Sequence, residues 1–111
     1  MITINIAKDY TILPGGRFAK EGPNSGEDFR QKILEPKFLE AKDKGEELTV
    51  ILDGGYGYAT SFIEEAFGGL ARKIKDKDLL KIKIISDEEP ALVEKVHIYI
   101  RDALIAKGVA I

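Results

Sequence analysis

The sequence predicts one small α/β domain spanning residues 1–111, with strands and helices alternating in the order β-α-β-α-β-α. Three observations carry that expectation. The segments "ITINI", "LTVIL" and "LKIKII" are short, apolar and rich in β-branched residues, apolar positions recur at helical spacing between and after them, and glycine and proline cluster at the junctions. Repeats of this kind build a sheet of parallel strands joined by right-handed helical crossovers.

Each element has its own signal. In "ITINI", Ile2, Ile4 and Ile6 alternate with polar positions, the period of a strand with one buried face. The following "LPGGRFAKEGPNSG" is punctuated by glycine and proline and reads as a long loop. Ser25 and Asp28 have capping-box spacing ahead of Phe29, Ile33 and Leu34, which starts the first helix. Pro36 falls inside that pattern and predicts a kink or restart, with Gly45 ending the continuation "PKFLEAKDKG". "LTVIL", Leu48 to Leu52, is apolar on both faces, as expected of a central strand covered on both sides. Ile63, Ala66, Phe67, Leu70 and Ile74 make the stripe of the second helix. "LKIKII", Leu80 to Ile85, is the third strand, and "SDEEP" then supplies caps, acids and a first-turn proline. The last helix runs from Ala91 to Lys107 and stops at Gly108, with Leu92, Val93, Val96, Ile100 and Leu104 on its buried stripe.

Composition removes several function classes. Seventeen basic and nineteen acidic residues leave a net charge of -2, and the basic ones are scattered among acids, which disfavours a nucleic-acid partner. The chain has no cysteine and one histidine, so thiolate and histidine-rich metal centres are ruled out. "MITINIAKDY" has no basic region followed by an apolar run, and no segment approaches the roughly 20 apolar residues that span a bilayer. A cytoplasmic protein with no bound cofactor is the expectation.

The stretch most open to function is "DGGYGYATSFIEE". Its Gly54, Gly55, Tyr56, Gly57 and Tyr58 lie between the carboxyl end of the central strand and the start of the second helix, the edge of an open α/β sheet where ligands usually lie. Three readings stand side by side. The run is a turn whose glycines take positive φ, a ligand-binding loop, or the approach to a phosphorylation switch. As a phosphate loop it lacks both the lysine and the glycine spacing of the known motifs. Ser61 and Glu64 have capping-box spacing, which gives Ser61 a structural role; a phosphorylated hydroxyl here would also suit the helix dipole.

"SGEDFRQKILEP" together with "LDGGYGYATSFIEEAFGGLAR" resembles the small bacterial family of STAS-like domains of unknown function, over the stretch from Gly15–Arg17 to Arg72. The resemblance implies the fold of anti-sigma-factor antagonists, in which a strand, a loop and a helix N-terminus form a regulatory edge. In those antagonists an Asp-Ser-Ser-Gly stretch is phosphorylated by a partner kinase with a histidine-kinase-like ATPase domain. The matching stretch here is Ala59, Thr60, Ser61, Phe62, without the aspartate and the glycine. Thr60 is the nearest match to the modified serine, with Ser61 next.

Further residues are weighed at the same edge. Glu64 and Glu65 point about 100° apart on a helix, so they read as a solvated first turn in preference to an acid–base pair. Asp53 ends the central strand and serves as a turn residue; with Glu64 it makes a poor metal set. Arg17 either folds back to offer a cation to this edge or lies on a mobile loop. His97 shares the face of the last helix and is given no role. The expectation is a non-enzymatic regulatory or protein-interaction module presenting residues 54–65, with Asp53 and Arg17, to a protein partner. The alternative is a small-molecule or nucleotide-binding domain using loop 54–58, and a hydrolase on Asp53 and the two glutamates lacks a nucleophile–base pair.

Overall fold

In the computed structural model, which describes residues 1–111, strands β1 (Ile2–Asn5), β2 (Leu48–Ile51) and β3 (Lys83–Ile85) form one parallel sheet with β2 in the middle. The register sets Ile4 beside Val50 and Val50 beside Ile84, and this row is buried. The next row out of phase is Thr3, Thr49 and Lys83; Thr49 is buried, whereas Thr3 and Lys83 are exposed. The central strand is therefore covered on both faces only at its middle. A three-stranded sheet leaves the flanks of its second face to solvent.

Around the sheet stand α1 (Ile6–Asp9), α2 (26–44), α3 (60–74) and α4 (Ala91–Ala106). Ser25 caps α2 by accepting the Asp28 N–H at 3.0 Å, but the Asp28 carboxylate does not close the box. It accepts the Tyr10 hydroxyl at 2.6 Å instead, which holds the Asp28 carboxyl below its ordinary range. Ahead of Pro36 the helix makes a π turn over Arg30–Leu34, with the Glu35 N–H reaching Arg30, and restarts as α-helix at Glu35. Pro36 thus sits in the first turn of the restarted segment, where its missing N–H costs little. Gly45 ends α2 at φ 67°.

The predicted stripe of α3 is buried at Ile63, Ala66, Phe67 and Leu70, and Ile74 is half-buried. Gly26 at the start of α2 meets Phe62 of α3 so closely that a Cβ there would lie 2.4 Å from the Phe62 carbonyl oxygen. Phe29 and Phe62 stack beside that contact with centroids 5.8 Å apart.

The third strand is shorter than its sequence pattern. Lys77–Lys81 forms a 3-10 turn, opened by Asp76, whose side chain accepts the Asp78 N–H at 2.9 Å. That local cap overrides the strand propensity of Leu80. Helix α4 buries Leu92, Val96, Ile100 and Leu104, and Gly108 follows it at φ 76°. His97 has Nδ1 3.0 Å from the Val93 carbonyl and Nε2 2.9 Å from that of Ile82, which ties α4 to the start of β3. No helix is long and apolar enough to cross a membrane.

Candidate interaction edge

Asp53 leaves the end of β2 and spends its carboxylate on the loop after β3. One oxygen accepts the Asp87 N–H at 3.0 Å and the other the Glu88 N–H at 2.8 Å. Glu88 replies by accepting the Gly54 N–H at 2.7 Å. The turn before α4 is thus capped from another loop and not by its own serine, whose hydroxyl donates to the Glu89 carbonyl at 2.7 Å.

The glycine run is a turn with fixed geometry. Gly54 and Gly57 have φ of 100° and 104°, a region that L side chains rarely adopt. Between them the Tyr56 N–H donates to the Ile12 carbonyl at 3.0 Å. Two of the amides that would cradle a phosphate, those of Gly54 and Tyr56, are therefore already engaged, and the nearest side-chain charges are the negative ones of Asp53 and Glu88.

The two tyrosines separate. Tyr58 is half-buried, donates its hydroxyl to the Leu52 carbonyl at 2.9 Å and packs its ring 5.6 Å from that of Phe62. Burial, assisted by the charges of Asp53 and Glu88, pushes its hydroxyl up to about 12. Tyr58 is therefore part of the protein's own core edge. Tyr56 is 82% exposed. A cavity of about 240 Å³ lies beside it, with Tyr58, Glu88, Glu89, Leu52 and Leu92 in its lining. Larger cavities of about 360 and 410 Å³ lie away from this edge, at the amino ends of β2 and β3 and beside β1.

Helix α3 opens without the expected capping box. Ala59 is the N-cap with no side-chain bond, which places Thr60 and Ser61 inside the first turn. Thr60 is exposed and Ser61 half-buried. Glu64 does not reach back to the N-terminus because two arginines hold it: Arg72 donates to both its oxygens at 2.6 and 3.1 Å, and Arg17 to Oε1 at 2.5 Å. Bonding from Arg72, then from Arg17, holds the Glu64 carboxyl below its usual range although burial pushes it up.

The two glutamates are not a solvated first turn either. Glu65 is 7% exposed and accepts from Arg30 at 3.1 Å and from Arg17 at 3.3 Å. Arg17 does fold back, and it joins the loop before α2 to the π turn of α3 over Glu64–Gly68. Arg30 and Arg72 complete this cluster and were not anticipated. A signal for it exists: Gly68 and Gly69 in mid-helix. A Cβ on Gly68 would lie 2.4 Å from the Glu64 carboxylate and one on Gly69 2.9 Å from that of Glu65. Two helix-weakening glycines make room for two inward carboxylates. The Arg30 Nε is buried without a hydrogen-bond partner.

Asp53 and Glu64 thus serve different partners and do not form a shared carboxylate site. No group of three or more histidine, aspartate or glutamate side chains is placed to hold a metal ion. Asp53, the glycine run, Thr60 and Ser61 form one continuous edge, whereas Arg17, Glu64 and Glu65 form an ion-pair cluster one turn further along α3.

A family model described as STAS-like domain of unknown function matches residues 25–91. That span runs from the cap of α2 to the start of α4 and contains the whole edge. No curated protein and no solved structure matches the chain.

Proposed function

The chain belongs to the family of STAS-like domains of unknown function, and on that premise we propose that it is a non-enzymatic regulatory module, cytoplasmic, that docks a protein partner through residues 53–61. The observation that carries this reading is Tyr56. A large aromatic ring stands 82% exposed on a loop whose backbone is pinned at Gly54 and at Tyr56 itself by their N–H bonds. A rigid, exposed tyrosine offers contact area at little entropic cost on binding.

The switch is proposed at the neighbouring hydroxyls, with a histidine-kinase-like ATPase as the partner. Freed from the capping box, Thr60 and Ser61 sit in the first turn of α3, where phosphate would gain from the helix dipole and add about two negative charges at pH 7. Exposure favours Thr60 as acceptor over the half-buried Ser61. The nucleotide-binding alternative finds less support, since two of the loop amides, those of Gly54 and Tyr56, are engaged and the nearby side-chain charges are acidic. A hydrolytic role finds none, because both glutamates are committed to arginines.

The test is phosphate transfer. Incubation with the partner ATPase and ATP, followed by mass spectrometry, is expected to place phosphate on Thr60 in the wild type and to lose it in Thr60→Ala. Phosphate found elsewhere, or none with an active kinase that binds the chain, removes the switch and leaves the docking role to be judged by binding.

A further inference from the structure

Ile12 and Leu13 are 46% and 60% exposed, and neither belongs to the core. The segment that carries them is nevertheless well fixed. The Thr11 N–H donates to the Ile6 carbonyl at 2.8 Å, the Leu13 N–H to the Thr11 hydroxyl at 3.0 Å, and the Ile12 carbonyl accepts from Tyr56 at 3.0 Å. Holding two large aliphatic side chains in water on a fixed backbone has a hydration cost that the fold does not recover. The Tyr56 bond also joins the backbones of the two loops, so three exposed large side chains are carried on adjoining, fixed backbone. Large apolar side chains held exposed on adjoining backbone suit an interaction site.

Charge defines the other side of Tyr56. The cavity next to it has Glu88 and Glu89 in its lining, with Asp53 at the same edge, and no lysine or arginine forms an ion pair with any of the three. Leu52 and Leu92 supply apolar lining to the same cavity.

We propose that Ile12, Leu13 and Tyr56, with the cleft at Glu88 and Glu89, form a docking surface for a basic segment of a partner protein anchored by apolar side chains. The anchors cover Ile12 and Leu13. A lysine or arginine enters the cleft, its aliphatic stem along Leu52 and Leu92 and its cation at the two carboxylates. The inference rests on the proposed docking role and names the chemistry of the partner. The acids, paired with no cation, argue against a second copy as occupant, since a two-fold pairing would bring them face to face. They argue equally against a phosphate backbone or an anionic lipid surface.

The test uses the full chain labelled with 15N, titrated with a synthetic amphipathic peptide of lysine and leucine and, in parallel, with a glutamate–leucine peptide of equal length. The expected result is saturable binding of the lysine peptide alone, with amide shifts centred on Ile12, Leu13, Gly55, Tyr56 and Glu89. Ile12→Ser and Glu89→Lys should each weaken it at least tenfold with an unchanged unfolding midpoint. Equal binding of the acidic peptide, shifts centred off this surface, or shifts that grow with chain concentration before any peptide is added would overturn the proposal. Shifts confined to Gly57–Ser61 with Ile12 and Leu13 silent would also overturn it while leaving the docking edge itself standing; silence along the whole edge would count against both.

Discussion

Asp53 and Glu88 exchange hydrogen bonds across the carboxyl ends of β2 and β3: the Asp53 carboxylate accepts the Glu88 N–H at 2.8 Å, and the Glu88 carboxylate accepts the N–H of Gly54, the residue after Asp53, at 2.7 Å. The pair joins the glycine run to the turn before α4. The proposed interaction surface is therefore a preorganised plate and not a loose loop.

Removing that interlock should loosen the edge. Asp53→Ala leaves the Asp87 and Glu88 amides without their acceptor and should cost about 1–3 kcal/mol. Hydrogen exchange at Gly54, Asp87 and Glu88 should accelerate well before the β2 core amides do. Unchanged exchange at these three amides would mean that the pair does not organise the edge.

The tyrosines should behave oppositely in stability. Tyr58→Phe loses a hydrogen bond to the Leu52 carbonyl and should cost about 0.5–1.5 kcal/mol, whereas Tyr56→Ala should stay within about 0.5 kcal/mol of wild type. Denaturant midpoints measure both. A large loss in Tyr56→Ala would show that its ring packs on the core.

Glu64 predicts a pH dependence with a definite sign. Its carboxyl is held below the ordinary range in the folded chain, so its contribution is fully present above the unfolded value of about 4.3 and is lost as pH falls through the lower folded value. Glu64→Gln should therefore be less stable than wild type at neutral pH, by about 1.5–3 kcal/mol, with the gap closing in acid. A gap of constant size across this range would contradict the paired arrangement with Arg72 and Arg17.

Gly26→Ala tests the contact between α2 and α3. A new Cβ would lie 2.4 Å from a backbone oxygen that cannot swing aside, and overpacking should cost about 1–3 kcal/mol despite the better helix propensity of alanine. A variant as stable as wild type would show that the helices stand further apart at their N-termini.

These residues also show what the sequence made legible. Ile63, Ala66, Phe67 and Leu70 could be placed in the core because burial repeats at helical spacing, and β2 could be placed centrally from its apolar run. The start of β3 was harder, since Asp76 acts through a single local bond that competes with propensity. The cluster on α3 was half visible. Glu64 and Glu65 stood out as a pair, but their partner Arg17 lies 47 and 48 residues away and Arg30 lies 35 away from Glu65, distances over which no periodicity operates. The capping box inferred for Ser61 failed because the helix starts earlier, with Ala59 as its N-cap, and because Arg72 two turns on and the distant Arg17 hold the glutamate. Ile12 carried no signal, because its exposure and its bond to Tyr56 are purely tertiary.

The most direct measurement of the central claim is a calorimetric titration of the chain with the partner ATPase, comparing wild type, Tyr56→Ala and Thr60→Glu at matched folded fraction. Docking through residues 53–61 predicts that both variants weaken the Kd at least tenfold, or about 1.4 kcal/mol, with unfolding midpoints at the wild-type value. Binding of both variants at the wild-type Kd would contradict it and place the partner on another face.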